Sequence, residues 1–137
     1  MIQRKQSIYL FLAGLISMLF AINLDNLVTL SLDFLPDPSK ANATFSLIFF
    51  FSAFISFISL LMFKNRKLQL TLGWGNIILN ILLIGSFIFS LLNLPGGEIP
   101  EKGIWTIVPL ITIVLLSIAN RLIKKDDDLV KSVDRFR

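Results

Sequence analysis

The chain has 137 residues, enough for one domain at most. It is 55% hydrophobic and 16% charged, against roughly 45–50% and 25% in an ordinary globular domain. Its net charge is +4, its mean hydropathy +0.78 and its pI near 9.7. No Asp, Glu, Lys or Arg occurs in 8–24, 41–63, 68–97 or 103–120. A soluble chain this short could not hide four such stretches in one core, so the sequence reads as a polytopic membrane protein. Cysteine and histidine are both absent. Their absence removes a disulfide framework, a thiol nucleophile, a Cys/His zinc site, iron–sulfur ligation and the usual haem histidine. Ser–His–Asp and Cys–His mechanisms lack their base.

A bilayer core of about 30 Å takes roughly 20 apolar residues per helix. The first predicted span is Ile8 to about Asn23, IYLFLAGLISMLFAIN. Its basic start and Ala21 have the pattern of a signal peptide, but no convincing A-x-A follows, and it reads as an uncleaved helix. Ala13, Ser17 and Ala21 follow the small-xxx-small spacing that lets helices approach closely. In the outer segment 24–44, Val28, Leu30, Leu32 and Phe34 alternate with Thr29, Ser31 and Asp33. That period of two predicts a short strand with one apolar face, ended by Pro36 and Pro38. Asn42-Ala43-Thr44 matches the glycosylation pattern, a weak signal with no meaning in a bacterium.

The second span is Phe45–Phe63, very rich in phenylalanine, with Ser52, Ser56 and Ser59 on one face. A short basic turn leads to the third, about Leu68–Leu92, where Asn76 and Asn80 stand four apart and Gly73 lies one turn earlier. The outer loop Asn93–Gly103 holds a Pro-Gly-Gly turn. Its Gly96-Gly97 pair lacks the following Lys-Ser/Thr of a phosphate-cradling loop. The fourth span is Ile104–Asn120, with Pro109 predicted to bend it.

Orientation follows from the cations. Arg4 and Lys5, then Lys64, Arg66 and Lys67, then six Lys and Arg of the tail 121–137 fall on one side, while the other loops hold Lys40 and Lys102. The positive-inside rule therefore predicts both termini in the cytoplasm. The same placement makes the basic balance topological, so nucleic acid is not an expected partner. Tyr9, Trp74 and Trp105 fall near predicted interfaces, where aromatic belts sit.

Intramembrane functional sites usually carry ionisable residues, and the spans hold none; Asp25, at an outer end, comes closest. What remains at depth is uncharged: Ser52, Ser56, Asn76 and Asn80. Helix–helix packing is the ordinary reading of such residues. A polar seam for a lipid headgroup, a quinone or a partner helix is the sharper one.

The tail RLIKKDDDLVKSVDRFR predicts an amphipathic cytoplasmic helix, with Leu122, Leu129, Val133 and Phe136 on one face and Lys124, Lys131 and Arg135 opposite. Asp127 precedes Lys131 by the favourable four residues, and Asp128 can reach back to Lys124. Alternatively, Asp126 or Asp127 caps a fresh helix beginning after the span. Such a helix either lies on the membrane surface, held to anionic lipids, or docks a soluble domain or neighbouring subunit.

The opening MIQRKQSIYL, the turn KNRKLQL and the closing ANRLIKKDDDLVKSVDRFR resemble an uncharacterised family of small bacterial membrane proteins, typical of the Bacteroidota and known as domain of unknown function four-two-nine-three. The likeness spans essentially the whole chain. The matching positions are Gln3, Arg4, Gln6 and Tyr9, then Arg66, Lys67, Leu68 and Asn76. Asn120, Arg121, Lys125, Asp126, Leu129, Val130, Asp134, Arg135 and Arg137 complete them. Lys5 departs from the apolar residue expected there. The resemblance implies four spans in a bacterial inner membrane and carries no activity.

The expectation is therefore an all-α membrane protein, one four-span domain over 1–137. It has no catalytic residues, cofactor or metal and is not an enzyme. Its candidate partner- or lipid-binding residues are Arg4, Arg66, Lys67, Arg121, Lys125, Asp126, Asp134, Arg135 and Arg137. An accessory or assembly subunit of a larger membrane complex, docking through the cytoplasmic face, fits this best. The alternative is a small homo-oligomeric transporter or channel with Asn76, Asn80, Ser52 and Ser56 along a path. The least favoured reading is an enzyme working through the Asp126–Asp128 carboxylates, with or without a metal.

Overall fold

A computed structural model describes residues 2–27, 38–92 and 107–135. They form four helices, α1 (Ile2–Leu27), α2 (Pro38–Leu61), α3 (Arg66–Leu92) and α4 (Ile107–Arg135), with no strand among the described residues. Each helix packs on its sequence neighbour, and α4 closes on α1. Among the described residues no diagonal contact joins α1 to α3 or α2 to α4. This is the ring of an up-down-up-down bundle.

Cross-helix hydrogen bonds fix the antiparallel sense. Ser46 Oγ on α2 donates to the Ala21 carbonyl of α1 at 2.8 Å, and Ser59 Oγ donates to the Gln69 carbonyl of α3 at 3.4 Å. Gln6 Nε2 donates to the Leu122 carbonyl at 3.4 Å, so the start of α1 and the end of α4 share one end of the bundle. The tight turn between α2 and α3 lies there too, beside α4, because Arg66 pairs with Asp126.

Among the described residues three helices are long and apolar enough to cross a membrane: Lys5–Asn23, Arg66–Phe89 and Ile107–Val133. The apolar part of α2, Phe45–Leu61, is shorter. The surface agrees with this. Phe51, Phe54, Trp74, Ile78 and Leu82 are exposed, while Ser17, Ser52, Ser56, Asn76, Asn80 and Thr112 are fully buried. Such an inside-out distribution suits a hydrocarbon solvent.

Two apolar clusters flank the buried polar residues. Leu10, Ala13, Ile77, Leu116, Ala119 and Ile123 fill the end where the helix termini of α1 and α4 meet. Phe20, Ala21, Phe45, Phe49, Leu83 and Phe87 fill the other. In the second, Phe20 and Phe49 meet edge-on at 4.8 Å, and Phe45 stacks on Phe87 at 4.9 Å. The small residues Ala13, Ser17 and Ala21 of α1 are all buried. A Cβ on Gly14 would come within 3.2 Å of Ser56 Cβ, so α1 and α2 run close there.

Several sequence expectations need correction. Loop 24–44 is shorter than expected, because α1 runs to Leu27 and α2 starts at Pro38. Pro38 opens a helix rather than ending a strand, since the first helical position needs no N–H donor. The alternating stretch 28–34 that suggested the strand lies outside the described residues. The second helix stops at Leu61 rather than Phe63, and Met62–Lys64 forms the turn. Pro109 falls in the first turn of α4 as described, where it removes no helical hydrogen bond and gives no reason for a bend. Most consequentially, α4 is one uninterrupted helix through the tail, so neither Asp126 nor Asp127 caps a new one.

Candidate functional site

The charged end of the bundle is built where α2 stops and α3 begins. Asn65 caps α3: its Oδ1 accepts from the Leu68 N–H at 3.4 Å and its carbonyl from the Gln69 N–H at 3.0 Å. The cap aims Arg66 across to α4. One guanidinium nitrogen donates to the Asp126 carbonyl at 3.0 Å, and another pairs with the Asp126 carboxylate at 3.0 Å. Both side chains are largely covered, at 21% and 15% exposed. A forked guanidinium suits this two-point grip, which an ammonium would make less well.

The three aspartates separate from one another. Asp126 turns to Arg66, and Asp127 pairs with Lys131 one turn along, at the expected spacing. Asp128 is exposed and forms no ion pair with Lys124, contrary to the sequence expectation. Among the described residues no group of three carboxylate, histidine or cysteine side chains is placed to hold a metal.

Two open grooves flank the extension of α4. The first lies between it and the α2–α3 turn, lined by Phe63, Lys64, Arg66, Lys67, Asp127 and Val130. The second lies on the opposite side, with Arg121, Lys124, Lys125, Asp128 and Leu129. Each carries three cations against one carboxylate. Of the candidate docking residues, Arg66 and Asp126 are joined to each other, and Lys67, Arg121 and Lys125 are exposed. The side chains of Arg4, Asp134 and Arg135, and residue Arg137, lie outside the described set.

The uncharged candidates meet in one buried layer. Ser52 Oγ donates to Asn76 Oδ1 at 2.7 Å, while Asn76 Nδ2 donates to the Ser52 carbonyl at 3.0 Å and to Ser56 Oγ at 2.8 Å. Asn80 Nδ2 lies 3.0 Å from Ser52 Oγ, 2.8 Å from the Asn76 carbonyl and 3.1 Å from Asn76 Oδ1. Three acceptors around that nitrogen fix the orientation of the amide, since the reversed one would set oxygen against oxygen. Asn80 Oδ1 is left with no hydrogen bond.

One contact was beyond sequence reasoning. Asn120, 4% exposed on α4, lies over Gly73 of α3. A Cβ at Gly73 would come within 2.0 Å of Asn120 Oδ1, so a glycine α-hydrogen faces that oxygen instead. Neither polar atom of the Asn120 amide has a conventional partner. The two residues were legible separately, as a small residue and an amide. Their meeting depends on the crossing of α3 and α4.

A family described as a domain of unknown function, DUF4293, matches residues 2–136. The chain belongs to that family. The match covers all four helices, so the bundle and both its polar regions fall within the DUF4293 domain. No curated protein and no solved structure matches the chain.

Proposed function

We propose that this DUF4293 protein is a non-enzymatic accessory or assembly subunit of a larger complex in a bacterial inner membrane. It docks through the end of the bundle that carries Arg66, Lys67, Arg121, Lys125 and Asp126. The positive-inside rule assigns that end, and both termini, to the cytoplasm.

The observation that carries this reading is the unbroken α4. Its 29 residues correspond to about 43 Å of helix, longer than the roughly 30 Å hydrocarbon core. The excess lies at the charged end, braced by Arg66 at Asp126 and by Gln6 at Leu122. Beyond the brace Leu129 and Val133 are 47% and 66% exposed, and the side chains opposite are charged. An extension continuous with the span favours a projecting docking helix over one that turns to lie on the bilayer.

The transporter alternative has less behind it, because the polar layer it would use is inaccessible and largely self-bonded. The test is charge reversal at Arg121, which is exposed and has no ion-pair partner among the described residues. Arg121→Glu should leave the bundle folded and release a partner that co-purifies with the wild type in mild detergent. Undiminished association would overturn the docking face.

A further inference from the structure

We propose that the groove between the α2–α3 turn and α4 holds the phosphate of an anionic phospholipid of the inner leaflet. The inference rests on the membrane placement given under the proposed function and names one ligand for that end of the bundle.

The cations of this groove are not equivalent. Arg66 is committed to Asp126, and the groove's one carboxylate, Asp127, is taken up by Lys131. Lys64 and Lys67 are exposed and have no carboxylate partner among the described residues. Two exposed ammonium groups outside any ion pair therefore line the groove together with a fixed guanidinium. Such a cluster attracts a phosphate, and each cation near an anionic leaflet contributes about 1 kcal/mol.

Its apolar surroundings select a lipid over a soluble anion. Phe63, 56% exposed, adjoins Lys64, and Val130, 44% exposed, lines the wall opposite the turn. A strip then runs from Lys67 along one face of α3 through Thr71, Trp74 and Ile78, all exposed and spaced by three or four residues. Trp74 is 60% and Ile78 57% exposed. Seven residues of helix set Trp74 about 10 Å deeper than Lys67 on the same face. Cation, interfacial tryptophan and aliphatic side chain thus follow in the order of phosphate, glycerol region and acyl chain. The second groove also continues into exposed aliphatic residues, Ile118, Val114 and Ile111, but no tryptophan stands among them, and its cations lie along α4 alone.

Trp74 also reports on the site. The chain has two tryptophans, so Trp105→Phe leaves Trp74 as the single indole. The full chain would be reconstituted in phosphatidylcholine vesicles containing brominated phosphatidylglycerol or, separately, brominated phosphatidylcholine, and Trp74 quenching compared. The expected result is about a thirtyfold preference for phosphatidylglycerol, as two cations imply. Lys64→Ala with Lys67→Ala should abolish the preference. Lys124→Ala with Lys125→Ala removes equal charge from the other groove and should leave it intact. Equal quenching by both lipids in the parent protein overturns the proposal without need of any variant. Equal loss in the two double variants overturns it as well, because general surface charge would then explain the preference. The readout involves no protein partner, so its failure leaves the Arg121 experiment to judge the docking reading alone.

Discussion

The bundle is held together differently at its phenylalanine-rich end and in its amide layer. Phe20, Phe45, Phe49 and Phe87 interlock by ring contacts at 4.8–6.3 Å, whereas Ser52, Ser56, Asn76 and Asn80 are joined by directed hydrogen bonds. In water the aromatic cluster would dominate, because burying a phenylalanine removes much apolar surface from solvent. In a bilayer the lipid tails are as apolar as the rings, so the cluster gains from shape and dispersion alone. The tails offer the amides nothing. The polar layer therefore sets the register of α2 against α3, and the rings fill the space around it.

Substitutions in the two regions should differ in cost accordingly. The largest effect is expected for Asn76→Leu, which removes the amide bonded to Ser52 and Ser56 and leaves the Ser52 hydroxyl without its acceptor, while Ser56 keeps its bond to the Ser52 carbonyl. About 3 kcal/mol should be lost, measured by denaturant titration in mixed micelles. Phe49→Ala follows at about 2–3 kcal/mol, toward the lower end of the range for core truncations, because the transfer contribution is absent in lipid. If Phe49→Ala proved much the costlier, the polar layer would lose its leading role.

Gly73→Ala should cost about 1–2 kcal/mol by overpacking, because the new methyl meets the buried Asn120 amide. In an Asn120→Ala background most of that penalty should vanish. Asn120→Ala alone should be near neutral, since it removes a buried amide with no conventional partner. Arg66→Gln should cost about 1 kcal/mol and increase hydrogen exchange in residues 126–135, as the brace on α4 is lost. Lys131→Ala, which breaks the exposed pair with Asp127, should leave the melting temperature unchanged within error.

The sequence was most legible where lipid contact decides composition. Four charge-free stretches announced four helices, and Asn76, Asn80, Ser52 and Ser56 were identifiable because polar groups at depth are few. Helix ends were less legible, because hydropathy reports the solvent of the side chains and the backbone continues through polar residues. Thus α1 includes Gln3 and Gln6, and α4 runs through the three aspartates. Pairings across helices were not legible. Arg66 and Asp126 are 60 residues apart, and nothing in one sequence fixes which turn of α3 faces which turn of α4. The same holds for Gly73 and Asn120. A covered arginine and an unpartnered amide emerge only once the crossing is known.

The projecting end of α4 is proposed to work by meeting another protein. A photo-crosslinking residue at Leu129, in cells, tests it most directly, with Phe51 on the apolar surface of α2 as the comparison. The expected result is a discrete adduct with a different polypeptide at Leu129, lost with Arg121→Glu, and none at Phe51. Adducts with lipid or a second copy of this chain alone, or a protein adduct confined to Phe51, would contradict it.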